Sequence, residues 1–205
     1  MKRSRFCSVS VALAAAFVCA LVPSGAFSSS FASENDVGAS KASTSASDEC
    51  ELPSNVFSPE MIRPLLSEML ERSVTFRRQC CRIRNTPLLH IAIQLVPTLA
   101  YDHCLAVSLV ERYAYGRITI RMLITVPRAS VSYAEILGHE FEHALEQIEG
   151  LDLSALASTG RSGVYRHPDG SYETTRAREA GLVVAREFEL FRKSSNSAAP
   201  SAAER

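Results

Sequence analysis

Two hydrophobic periods divide the chain. Over residues 117–127 the sequence RITIRMLITVP alternates: Ile118, Ile120, Met122, Ile124 and Val126 fall on one face, Thr119, Arg121 and Thr125 on the other. A period of two is that of a strand half buried against a core. The stretches LLHIAIQLV (88–96) and CLAVSLVERYAY (104–115) are rich in branched and aromatic residues and predict two further strands. Gly116 supplies a turn between the last two, which predicts a hairpin. On either side the period lengthens to that of a helix. Leu65, Leu66, Met69 and Leu70 follow Ser58-Pro59-Glu60, a capping serine, a proline suited to the first helical position and an acid near the positive helix end. Pro64 offers a restart of that helix. A second short helix is predicted over 75–84, a third over 132–148 closed by Gly150, and a last over 172–191. A loop with Gly160, Gly163, Pro168 and Gly170 separates the last two. Helices, a small antiparallel sheet, then two helices make an α+β domain with the helices packed on the sheet.

The ends of the chain fall outside this pattern. Lys2, Arg3 and Arg5 precede an apolar run, VSVALAAAFVCALV, that is short for a membrane span and is followed by small residues at Ser24-x-Ala26 and Ser30-x-Ala32. These features predict a signal peptide over 1–32 and hence a secreted or periplasmic protein with no stable membrane span after cleavage. Residues 33–49 are small and polar and predict a flexible leader; 194–205 predict a disordered tail. The folded part is then 50–193, a size usual for one domain. The chain has 22 basic and 22 acidic residues; without the three basic residues of 1–32 the balance is 19 to 22. Such mild acidity argues against nucleic acid as a partner, because phosphates demand a basic face. The cluster RRQCCRIR (77–84) reads as a solvated helix face. Export leaves Cys50, Cys80, Cys81 and Cys104 in an oxidising compartment, where disulfides form, with the connectivity open.

The chemistry concentrates in ILGHEFEHALEQIEG, residues 136–150. His139 and His143 are four apart, one turn on the same helix face, and two imidazoles so placed hold one tetrahedral Zn2+ ion. Glu140 beside them can act as general base toward a zinc-bound water, whose pKa the ion brings toward neutrality while it polarises a carbonyl. The last predicted helix offers Glu173, Glu179 and Glu187 for a third ligand. Glu173 aligns with Ala177, Ala180, Gly181, Val184 and Phe188, the residues that would face the core, whereas Glu179 lies about 120° away. Glu173 is therefore the choice over Glu179, and Ala177 and Gly181 would let this helix approach the metal helix closely. Glu146, three residues past His143, is either an acceptor that fixes an imidazole, or else a rim carboxylate or a partner for Arg176. His167 and Tyr172, with Tyr165, are candidate transition-state donors. Glu135 and Glu142 read as solvated charges, and His90 and His103 as structural.

HEFEH followed by a glutamate further on resembles the gluzincin branch of the zincin metallopeptidases. MIRPLLSEMLERSVTFRRQC, ILGHEFEHALEQIEGLDL and YETTRAREAGLVVAREFE are similar to segments of small exported bacterial zincin-like proteins. The resemblance implies a zincin-like fold, with an HExxH helix and a C-terminal glutamate-bearing helix packed on the sheet. It also implies His139, His143 and Glu173 as zinc ligands, Glu140 as base, and a peptide or protein substrate. In that family a peptide often pairs with the sheet's edge strand, a role that would fall to 117–126. The extended metzincin motif is absent, since no further histidine follows in ALEQIEG. The expected function is an exported zinc metallopeptidase. The alternative is a non-catalytic, zinc-stabilised binding or envelope-associated domain.

Overall fold

Ser73 ends one helix and begins the next. Its backbone N–H donates to Met69 O at 2.8 Å, closing α1 (Arg63–Arg72), while its hydroxyl accepts from Phe76 N at 3.0 Å, capping α2 (Val74–Arg84). The computed structural model describes residues 5–9, 51–100, 104–126 and 132–197, all in one compact unit. The predicted leader, Cys50, His103 and residues 198–205 lie outside the described residues, as does the predicted signal segment apart from 5–9.

The strands are β1 (Arg5–Val9), β2 (Val56–Phe57), β3 (Leu89–Leu95), β4 (Cys104–Arg112), β5 (Ile118–Ile124), β6 (Val164–Arg166) and β7 (Tyr172–Thr174). They lie in the order β2-β3-β5-β4-β1-β7-β6. The predicted hairpin is present: β4 and β5 are antiparallel, with Arg112 opposite Ile118. Tyr115 and Gly116, at φ 62° and 78°, make the turn. The sheet is mixed rather than antiparallel, because β5 also pairs in parallel with β3 along its whole length, from Leu89↔Ile118 to Leu95↔Ile124. With neighbours on both sides, β5 has no free edge, so residues 117–126 cannot serve as an edge strand for a peptide. The outer side of β4 instead carries β1, parallel to it, with Ser8 level with Ser108; on its other side Ser8 is level with Tyr172.

One row of side chains faces the helices: Ile120, Met122 and Ile124 from β5, Leu89, Ile91 and Ile93 from β3, and Ala106 and Val110 from β4. Ser108, level with Met122, sits in the same row. Against it lies α3 (Tyr133–Ile148), capped by Ser132, whose hydroxyl accepts from Glu135 N. This helix is buried nearly all round, from Ile136 to Gln147. A short helix missed by the period, α4 (Leu153–Ser158), is capped by Asp152 and leads into the β6–β7 hairpin. The last helix, α5 (Thr175–Ser197), runs past the predicted end at 191 and into the predicted tail. The first helix, in contrast, begins later than Ser58-Pro59 suggests: Pro59 enters a turn that closes with Ile62 N on Pro59 O, and Pro64 occupies the first helical turn.

Two glycines set the spacing of α3 and α5. A Cβ on Gly181 would lie 2.6 Å from Glu135 O and 3.1 Å from His139 Cβ, and one on Gly138 would lie 2.8 Å from Val184. The glycine at 181 thus provides the close approach that the sequence led one to expect. Glu187 of α5 reaches α2, accepting from Ser73 Oγ, Thr75 N and Thr75 Oγ1 at 2.6–3.1 Å. Cys104 is disulfide-bonded, and Cys80 is buried in the core. Among the described residues no helix is long and apolar enough to cross a membrane.

Candidate metal centre

His139 and His143 project from one face of α3, their rings 4.7 Å apart between centroids. Facing them is Glu173: its Oε2 lies 3.6 Å from His139 Nε2 and its Oε1 4.0 Å from His143 Nε2. The three residues offer ligand atoms that all lie within 4.8 Å of one another. Tetrahedral zinc at about 2.0–2.1 Å from its ligands puts them about 3.3–3.4 Å apart, so small side-chain movements bring this trio to coordination distance. Two imidazoles and a carboxylate also suit zinc chemically. The donor set therefore fits the ion.

Glu173 reaches this position from a strand, not a helix. It is the middle residue of β7, two residues before α5 begins. The apolar face inferred for the helix is real, with Ala177 and Val184 fully buried and Phe188 nearly so, but Glu173 precedes it. Glu179 is exposed on the outer side of α5, and Glu187 is the acceptor at the start of α2. Neither joins the trio.

Of the alternatives for Glu146, the structure has the imidazole partner. Its Oε2 lies 2.7 Å from His143 Nδ1, and its Oε1 accepts from Thr174 Oγ1 at 2.6 Å. A carboxylate can only accept, so in the neutral ring Nδ1 carries the proton and the lone pair of His143 sits at Nε2, toward Glu173. Thr174 in turn accepts from Ala177 N, so one residue caps α5 and steadies Glu146. Arg176 pairs instead with Glu142 and Glu149. Glu142 is therefore not a solvated charge: it is buried and also accepts from Gln79 Nε2 at 2.8 Å, while that amide donates to Gly138 O as well. A helix buried on all sides has no solvent face to give it. Glu135 is half-buried, and burial followed by the charge of Glu189 raises its pKa.

Glu140 is fully buried beside the histidines. Its Oε2 accepts from Ser108 Oγ of β4, and its Oε1 has no hydrogen-bond partner among the described residues, nor does His143 Nε2. Unpaired polar atoms at such depth are costly unless a ligand meets them. Burial, then the charges of His143 and Arg178, holds the His139 pKa well below its ordinary value, which keeps the ring neutral. Burial also works to lower His143, but the hydrogen bond to Glu146 and the charges of Glu146, Glu140 and Glu173 outweigh it and raise the pKa. Burial raises Glu140, opposed by His143 and the Ser108 hydrogen bond. Glu173 is pushed up to about 7, chiefly by burial.

The remaining candidates lie apart. Tyr172 is half-buried and lines a cleft with Arg112, Gln147 and Leu151, while His167 stands at the β6–β7 turn, where its N–H donates to Ser171 O. Tyr165 is opposite Glu173 in the hairpin register but exposed. Among the described residues no hydrogen bond or ion pair links His167 or Tyr172 to the trio. His90 is half-buried in β3, stacked near Phe57. The period revealed neither Ser108 nor Thr174. Ser108 left one signal, a hydroxyl in the inward row of CLAVSLV; Thr174 left another, a threonine three residues before Ala177 at the true helix start. No protein-family model matches the chain, and no curated protein or solved structure matches it either.

Proposed function

We propose that the protein is an exported zinc-dependent metallopeptidase of the zincin type, with the gluzincin arrangement of two histidines and a distant glutamate. The observation that carries this reading is the convergence of His139, His143 and Glu173 beside a buried carboxylate, Glu140, with one oxygen unpaired. His139, His143 and Glu173 would hold the ion. When bound, zinc lowers the pKa of a coordinated water and polarises the scissile carbonyl. Glu140 takes the proton of the attacking water at Oε1 and passes it to the departing amine. Glu146 holds His143 in the tautomer that presents Nε2. The backbone supports an extended peptide as substrate, because β4 and β7, the strands bearing Ser108 and Glu173, already flank an extended segment at the level of Ser8. On the signal-peptide reading that segment leaves with residues 1–32, and the flanking backbone groups become available to a substrate.

The test is elemental analysis of the purified protein together with peptide-library digestion. One zinc per chain is expected, lost in His139→Ala and in Glu173→Ala. Glu140→Gln should keep the zinc and lose cleavage by roughly 10²–10⁴-fold, the usual worth of a positioned acid–base group. Zinc retained without any cleavage by the wild-type protein would favour the non-catalytic, zinc-stabilised domain. No zinc after reconstitution removes both readings.

A further inference from the structure

We infer that Ser108 is a positioning residue for Glu140: its hydroxyl holds one carboxylate oxygen so that the other is aimed at the metal centre. This inference rests on the metallopeptidase reading and assigns a part of that site to a strand which the HExxH motif does not include. Three observations meet here. Ser108 occupies the inward row of β4, between Ala106 and Val110 and level with Met122, where every other contribution is apolar. It is 1 % exposed. Among the described residues its Oγ is the sole hydrogen-bond donor to Glu140, and it donates to Oε2 alone, leaving Oε1 buried and without a partner on a residue flanked in sequence by His139.

A glutamate has three rotatable side-chain bonds, and neighbouring positions of α3 restrain mainly the first. A single donor from the sheet fixes the remaining torsions, because satisfying Oε2 at Ser108 points Oε1 away from the strand. The proton-accepting atom is then set by contact between two elements rather than by α3 alone. An apolar residue at 108 would pack equally well in that row. It would leave a buried carboxylate with both oxygens unpaired and free to turn.

The experiment uses the zinc-loaded full chain and the variants Ser108→Ala and Ser108→Thr. Zinc content and thermal stability are measured first, then affinity for acetohydroxamate, whose hydroxyl end needs a correctly aimed carboxylate, and for azide, which needs only the ion. Ser108→Ala should retain one zinc and its azide affinity but bind acetohydroxamate about tenfold more weakly, the worth of one aligned hydrogen bond. Ser108→Thr, which keeps the hydroxyl, should restore the affinity. With a cleaved peptide in hand, kcat of the form freed of residues 1–32 should fall in Ser108→Ala while KM stays. Unchanged acetohydroxamate affinity in a zinc-loaded, folded Ser108→Ala protein would overturn the inference while leaving the metallopeptidase reading intact. A wild-type chain that binds neither zinc nor acetohydroxamate overturns both.

Discussion

Ionising Glu173 inside the metal-free protein costs folding free energy. Its pKa rises from 4.5 to about 7 in the folded state, so the native chain keeps a proton that the unfolded chain has released. Stability from this group therefore falls as pH rises through that interval, by roughly 3 kcal/mol once both states are ionised. His139, held neutral by burial, acts in the opposite sense, with stability gained as pH rises toward the ordinary histidine range. The comparison that isolates Glu173 is thus with Glu173→Gln in a chelator, both histidines retained. Urea unfolding should show the variant gaining on the wild type between about pH 4.5 and 7, and added zinc should reverse the ranking. Glu146→Ala should weaken zinc binding by about 10–100-fold with the three ligands intact, measured by chelator competition, since His143 loses the acceptor at Nδ1. At this scale the sequence was readable where chemistry repeats with the helix: His139, Glu140 and His143 declare themselves by spacing. Ser108 did not, because its meaning depends on which strand lies over α3. Glu142 was misassigned for a related reason, since spacing alone does not show that α3 is enclosed on every side.

Among elements, the contact of α3 with α5 decides whether the two halves of the site meet. The glycine at 181 leaves no room for a methyl against Glu135 O, which is backbone and cannot turn aside. Gly181→Ala should destabilise the protein by about 1–3 kcal/mol, read from urea unfolding, and should also weaken zinc binding, because α5 carries the chain directly on from Glu173. Intact zinc affinity in a destabilised Gly181→Ala protein would show that β7, not α5, places the carboxylate. Local pattern identified these helices and the β4–β5 hairpin, whose signals lie within a few residues. It erred at their ends. Helical spacing from Ala177 to Phe188 holds, yet the first three residues of the predicted helix, 172–174, pair as a strand with Val164–Arg166, a partner that periodicity does not encode. The parallel pairing of β3 with β5 escaped for the same reason, as β4 intervenes in sequence but lies outside in space.

For the molecule as a whole, the α+β class followed from the order of periods, but the sheet's connectivity decided which strand borders the candidate site. That strand is β4, nine residues long and buried from Cys104 to Ser108. While Arg5–Val9 lies beside it, its outward N–H and C=O groups have a match. A chain released from residues 1–32 would lose that match, and among the described residues no other strand pairs with this side of β4. Long apolar borders of that kind are templates on which another chain can add a strand, and proteins usually blunt them with charge, proline or a bulge. Before Glu111, β4 has no charge or proline, and what interrupts this border is the shift of register between Cys104 and Val107. The form beginning at residue 33 should therefore self-associate with rising concentration, seen by sedimentation velocity, whereas the full chain should not; a short peptide of the sequence 5–9 should suppress it. On the signal-peptide reading, the same cut would expose this line of backbone on β4, the strand whose Ser108 holds Glu140.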